Sequence, residues 1–448
     1  MADKEVTPTN WRTLGPTVIL AGLFGYFFTN ALSRVHGDTG DFRAFYNAAC
    51  AMLDGGDIYA TGWPDYIYPP LLAFLYTPFG LLSADAAAVA MLCFILVVCC
   101  TAIYIGGRAL AERFEVSTSW ATLAPILCAG VFLSEDKLRG EFQMWQTNTI
   151  LLLMLCLALY WLDRRPAWAG IALGCAFNIK YLPVAFLPYL LLRRRWTTAA
   201  AFVIAIPVFA FLPALLTGWD TNLHYLATAY RGLFRLVGMD IGTSVEAASI
   251  ISDVRSGLSF SITSALARYL GPDVPNIAAY ALAGGLAALF GAWTWRQYRR
   301  AGVGFVYRPD GLAPSDSIAR QFAALEWVGL VFLLLLFSPQ SNSRHYCLLV
   351  FGNCLATLLL LQSRGGVPKW PLAAGALVLF LGTILPPGAR PSPMSQRVWN
   401  FAGGISWCAL ILLATMIWFV VEEVRLMRQQ KERQETRRDE NEKFELAA

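Results

Sequence analysis

Four short polar stretches carry the side chains that could do chemistry in this chain. The first, SRVHGDTGDFRAFYN from Ser33, holds Asp38 and Asp41. From Asp41 onward, Phe42, Phe45, Tyr46, Ala49, Met52 and Leu53 recur at three- and four-residue spacing, which predicts an amphipathic helix ended by Gly55 and Gly56. Asp41 then stands at the helix start, where it either satisfies free amides or serves as a general base taking a proton from a hydroxyl. Asp38 competes for that role, and Asp57 is a further carboxylate able to contact a cation. The second stretch puts Gln146 and Asn148 just before an apolar run, where amides cap a helix, meet lipid headgroups or hold substrate. The third is Lys180, an ammonium inside the apolar run 167–192. Charge at membrane depth faces a cavity or partner, unless the side chain snorkels to the surface. The fourth, SPQSNSRHY, crowds Arg344 and His345 between two apolar runs. Arg344 offers a fork of donors suited to phosphate and His345 can donate or accept near neutral pH, though both could anchor a helix end.

The elements that must position these groups are membrane helices. Of 448 residues 57% are hydrophobic and 15% charged, against roughly a quarter charged in soluble domains, which excludes a conventional soluble enzyme. The net charge of +5 is small for the length and offers no nucleic-acid surface. The apolar runs give room for about a dozen spans at roughly 20 residues each, so the fold class is an all-α polytopic membrane protein. Basic residues in short loops mark the cytoplasmic side: Arg108 with Arg113, Arg164 with Arg165, Arg193 to Arg195, Arg296 with Arg299 and Arg300, and Arg364 with Lys369. Placing them on one side makes 167–192 a hairpin of two short helices turning near Lys180 and Pro183. It also makes 67–82, with Tyr68-Pro69-Pro70 and Pro78, a juxtamembrane or re-entrant segment. Both termini are then cytoplasmic, the first apolar run is a retained span, and 34–66, 134–148, 217–275, 339–344 and 387–399 are exoplasmic. Within 217–275, Trp219 to Leu236 is amphipathic and suits a helix lying on the membrane. The arginines Arg231, Arg235, Arg255 and Arg268, with His224, read as interfacial anchors there. Residues 1–421 form a single transmembrane domain, and 422–448 a charged helical cytoplasmic tail. Most cysteines sit in apolar runs as small hydrophobes, with neither zinc nor disulfide spacing. There is no glycine-rich phosphate loop or nucleophile elbow, so a donor would arrive through the membrane.

Taken in order, these pieces resemble glycosyltransferase family 87, polytopic mannosyltransferases of the GT-C superfamily that use polyprenyl-phosphate sugars. The resemblance runs from DFRAFY at Asp41 through DGGDIY at Asp54 and YPPLLA at Tyr68 to Gln146-Thr147-Asn148. It continues with Asn178-Ile179-Lys180, LLRRRW at Leu191, SPQS at Ser338 and Arg344-His345-Tyr346, covering about residues 14 to 360. Two departures stand out: Trp145 where the family usually has glycine, and Arg344-His345 where it usually has a histidine pair. The resemblance implies a GT-C fold and an inverting transfer, with Asp41 as general base and Lys180, Arg344, His345, Gln146 and Asn148 holding substrate and phosphate. It implies no cofactor or metal, with Asp38 or Asp57 as alternative acid or cation contacts. The implied partners are a polyprenyl-phosphate sugar, a glycolipid or glycan acceptor and membrane lipids, with no nucleic acid. The implied setting is a monomer in the plasma membrane with an exoplasmic site. Rival readings are a lipid-linked sugar flippase, which should show inverted repeats that the sequence lacks, and a surface-glycan polymerase or ligase leaning on loop arginines.

Overall fold

The computed structural model describes residues 11–37, 39–62, 66–236, 254–304, 317–362, 366–384 and 398–447. Within them the chain is almost wholly helical. The first helices are α1 (Trp11–Leu32), α2 (Phe42–Leu53), α3 (Pro70–Gly80), α4 (Ala84–Arg113) and α5 (Trp120–Leu133). They are followed by α6 (Glu135–Gln143), α7 (Asn148–Trp161), α8 (Pro166–Phe177), α9 (Phe186–Leu192) and α10 (Trp196–Phe211). Later helices include Trp219–Leu236, Ile262–Leu270, Asn276–Arg300, Ser317–Phe337, Leu349–Gln362, Trp370–Ile384 and Gly404–Ala447.

Seven helices among the described residues are long and apolar enough to cross a membrane, and the chain is an integral membrane protein. Six more are apolar but shorter. Five of these occupy the other runs expected to cross, and the sixth is α3, expected not to. At about 1.5 Å per residue a 14-residue helix rises only about 21 Å, short of the ~30 Å hydrocarbon core. The hairpin is present as α8 and Leu182–Leu192, turning at Asn178 to Tyr181. A helix spans Trp219–Leu236, where the amphipathic pattern places one. The last helix runs through the expected domain boundary at 421 without a break.

Lipid tails are as apolar as leucine, so helices associate there through close packing of small faces. Gly170 and Gly174, one turn apart on α8, press on α10. A Cβ at Gly170 would fall 2.4 Å from the Thr198 carbonyl oxygen, an obstacle that backbone cannot yield to. Buried indoles lock further pairs: Trp145 donates to the Ala88 carbonyl at 3.0 Å and Trp327 to that of Leu155 at 3.1 Å.

These contacts set α4 parallel to α7: the Asn148 end of α7 lies by the start of α4, and Arg113, at the end of α4, donates to the Leu159 carbonyl at 2.9 Å. The bundle thus has two polar ends. At one, Asp163 pairs with Arg113 at 2.9 Å and Arg195 at 2.6 Å, and Arg164 pairs with Glu112 at 2.8 Å. Three of the basic clusters expected on one side are therefore joined in ionic contact. Arg255 and Arg268, both half-buried, donate to carbonyl oxygens, Arg255 to that of Gly271 at 3.3 Å and Arg268 to those of Ser256 at 2.7 Å and Phe401 at 2.8 Å. The segments 237–253 and 385–397, parts of two expected exoplasmic stretches, lie outside the described residues, as do Asp38 and Arg364.

Candidate active site

The other polar end gathers most of the candidate residues, beginning with Asp41. Gly40, at φ +54°, turns the chain against Met144, and a Cβ there would sit 3.1 Å from the Met144 Cα. Only glycine permits both the turn and the approach. Asp41 follows as the N-cap of α2, yet its side chain makes no capping hydrogen bond. The carboxylate points across to two other segments: Oδ2 accepts from Arg344 Nη1 at 2.7 Å and from Gln146 Nε2. Both members of the ion pair are partly open, with the Asp41 side chain 33% exposed and that of Arg344 31%. Among the described residues Oδ1 accepts no hydrogen bond.

Gln146 owes its place to the residue before it. Trp145 lies at φ +48°, the left-handed region where glycine is the natural occupant. Its strain, of order 1–3 kcal/mol, is offset by a fully buried indole that donates to Ala88 and packs 6.2 Å from the Phe42 ring centre. The departure from glycine therefore preserves the backbone turn and leaves Gln146 on Asp41.

Behind this pair runs a buried polar chain. Glu141 of α6 is fully buried; its Oε2 accepts from Asn148 Nδ2 at 2.8 Å and its Oε1 from the Thr149 backbone N–H at 3.1 Å. It thereby caps the start of α7, where free amides favour an anion. Asn148 passes the contact on, its Oδ1 accepting from Lys180 Nζ at 2.5 Å. Lys180, in the turn after α8, is only 7% exposed and lies over the Tyr68 ring at 5.4 Å. Burial pushes the Glu141 carboxyl up to about 7, against the hydrogen bond from Asn148 and the charge of Lys180. Burial likewise draws the Lys180 ammonium down to about 8, against the attraction of Glu141. An ammonium carries three donors, and among the described residues one is spent, on Asn148.

The remaining candidates are arranged differently. His345 closes its own 3-10 turn, Ser343–Leu348, its Nδ1 accepting from the Asn342 N–H at 3.3 Å. Asp57 holds the Tyr59 N–H at 2.9 Å and lies 3.6 Å from His224, sharing no bond with Asp41. Among the described residues no three His, Cys, Asp or Glu side chains gather as a metal site would require. Glu141 is a site residue that the sequence reading missed, and Tyr68, expected as part of a juxtamembrane or re-entrant segment, lies against Lys180. The signal for Glu141 was present, since Leu138, Glu141 and Phe142 share one helical face and two of the three are apolar.

Comparison with known proteins adds to this geometry. Two curated relatives share the description polyprenol-phosphate-mannose-dependent alpha-(1-2)-phosphatidylinositol mannoside mannosyltransferase. That of Mycobacterium tuberculosis is 28% identical over 286 residues, covering 58% of this chain and 61% of its own length. That of Mycolicibacterium smegmatis is 25% identical over 386 residues, covering 83% and 80%. An alpha-(1->3)-arabinofuranosyltransferase of Mycobacterium tuberculosis is 31% identical over 187 residues, 40% of this chain and 41% of that protein. The crystal structure of ArnT from Cupriavidus metallidurans bound to undecaprenyl phosphate is similar at 12% identity and a TM-score of 0.42, over 93% of this chain and 78% of that one. That likeness is too slight to place any residue. The model of glycosyltransferase family 87 matches residues 66–307, Lys180 and the Glu141–Asn148 stretch included and Asp41 and Arg344 beyond its ends. More than half of the chain falls within that match, and the chain belongs to glycosyltransferase family 87.

Proposed function

We propose that this protein transfers mannose from a polyprenyl-phosphate donor to a glycolipid or glycan acceptor at the membrane surface, with inversion. The observation that carries the reading is the Asp41 carboxylate, oriented through Oδ2 by Arg344 and Gln146 while Oδ1 stays open. The acceptor oxygen gives its proton to Oδ1 as it bonds to the anomeric carbon, and the carbon–oxygen bond to phosphate breaks with its electron pair leaving on the polyprenyl phosphate. Growing charge on that phosphate meets the two unspent donors of Lys180 and the remaining guanidinium donors of Arg344, held in a partly dry site where they count for more than in water. Gln146 and Asn148 orient these groups, and His345 shapes the turn that presents Arg344. Confining both substrates to the membrane supplies proximity.

Family membership and the relatives' descriptions support the donor class. About twelve crossings, both termini cytoplasmic, an exoplasmic site in the plasma membrane, a monomeric state and metal-independent transfer complete the proposal. The test is transfer by purified protein in lipid, with radiolabelled polyprenyl-phosphate-mannose and a glycolipid extract, run with and without chelator. Wild type should transfer in both and Asp41→Asn in neither. No product, with labelled lipid moving between leaflets, would replace the transferase by a flippase. Product only from polyprenyl-phosphate-arabinose would keep the mechanism and change the sugar.

A further inference from the structure

Glu141 has no part in proton transfer or leaving-group contact as described, yet it is a fully buried carboxylate at the heart of the site. We propose that Glu141 is a positioning residue for the donor phosphate: through the Asn148 amide it aims the Lys180 ammonium while leaving that ammonium's other protons free. The inference rests on the proposed function for its ligand class, a lipid-linked phosphate.

The argument is one of hydrogen-bond polarity. A carboxylate only accepts and an ammonium only donates. Placed between them, Asn148 has one satisfying orientation, with its NH2 on Glu141 and its carbonyl on Lys180. A direct carboxylate–ammonium contact would spend the attraction on the pair itself. The interposed amide keeps the counter-charge near and Nζ open. Glutamine at 141 cannot reproduce this, because the two donors, Asn148 Nδ2 and the Thr149 N–H, lie on different carboxylate oxygens and one of them would face the glutamine NH2.

The groups facing Lys180 are Glu141 from α6, Asp41 from the start of α2, Tyr68 ahead of α3, and Arg344, His345 and Cys347 from the 3-10 turn. Glu141 gives the largest attraction among the charged ones. Its removal lets burial draw the ammonium lower, so phosphate binding should weaken most at alkaline pH.

The experiment titrates full-length protein in nanodiscs with decaprenyl phosphate across pH, using wild type, Glu141→Gln and Asn148→Ala, with thermal unfolding of each. Asn148→Ala leaves the Glu141 cap on Thr149 intact and guards against a Glu141→Gln protein that fails to fold. Expected is a loss of affinity of about tenfold for both variants near pH 8. The Glu141→Gln gap should narrow toward about pH 6, where Glu141 in the wild type takes up a proton. Folded variants that bind like wild type at every pH would overturn the inference and leave Glu141 a helix cap. Wild type that binds no decaprenyl phosphate would overturn it too. Binding with the expected pH pattern in a protein that transfers no sugar would leave the inference standing and remove the transferase reading.

Discussion

The two polar ends of the bundle use the same residue types in opposite ways. At the Asp163 end, cation and carboxylate meet directly: Asp163 holds Arg113 and Arg195, while Arg193 pairs with Glu326 and donates to the Gly304 carbonyl at 3.1 Å. Each contact ties one segment of the chain to another distant in sequence. At the Asp41 end, Arg344 meets Asp41 directly but on one oxygen, the other staying open on a side chain one-third exposed, and Lys180 reaches its carboxylate only through an amide. Direct pairing through both carboxylate oxygens, as at Asp163 and Glu326, fastens the fold; one-oxygen or relayed pairing keeps acceptors and donors in reserve for a ligand. The form of the contact, more than the number of charges, separates a structural end from a chemical one.

Charge removal at the two ends should therefore give opposite results, and the largest effect is on turnover. Asp41→Asn is expected to cut transfer about a thousandfold with little change in thermal unfolding, since Arg344, the charge it pairs with, is partly open to water. Asp163→Asn should leave turnover within about threefold and cost about 1–3 kcal/mol of stability, because it strips buried Arg113 of its counter-charge. Equal loss of turnover in both would erase the distinction.

A smaller effect should separate the cations. Lys180→Gln removes a charge-assisted bond to phosphate worth about 1.5–3 kcal/mol, so donor affinity should fall about ten- to a hundredfold. Arg195→Gln, its bond to Asp163 lost, should lower stability and leave donor affinity unchanged. Donor affinity measured beside unfolding sharpens the comparison, and a donor effect at Arg195 would mean that the ends are coupled.

Much of this arrangement was legible in the sequence. Helical periodicity located α2 and Trp219–Leu236, and arginine placement located the hairpin at Lys180, because patterning and charge cost act locally. Asp41 at a helix start was legible too, though its partners were not: Gln146 and Arg344 lie 105 and 303 residues away, and only packing brings them in. Trp145 read as a departure from pattern because a sequence shows residue type and not φ. Glu141 was hidden by its setting in SEDKLRGEFQ, where charge suggested an exposed face. Its neighbours Leu138 and Phe142 pointed inward instead, with both fully buried.

The smallest expected effect tests whether Glu141 belongs to the fold or to the ligand. Its carboxyl sits at about 7 in the native protein against an ordinary 4.5. Between those values the native state keeps a proton that the unfolded chain has released. Stability contributed by the neutral form is thus complete below about pH 4.5 and lost as pH rises through about 7. Glu141→Gln cannot titrate, and its mispaired amide costs the same at every pH. Unfolding temperatures should therefore show wild type losing ground to Glu141→Gln between about pH 5 and 7.5, by about 1–3 kcal/mol. Lys180, drawn down to about 8 from an ordinary 10.5, acts in a separate window with the opposite slope. Parallel curves would assign Glu141 to the Asp163 kind of contact, a charge settled within the fold. Converging curves would mean that its ionisation costs stability in the range where it serves Lys180, which is what a charge kept for a ligand should do.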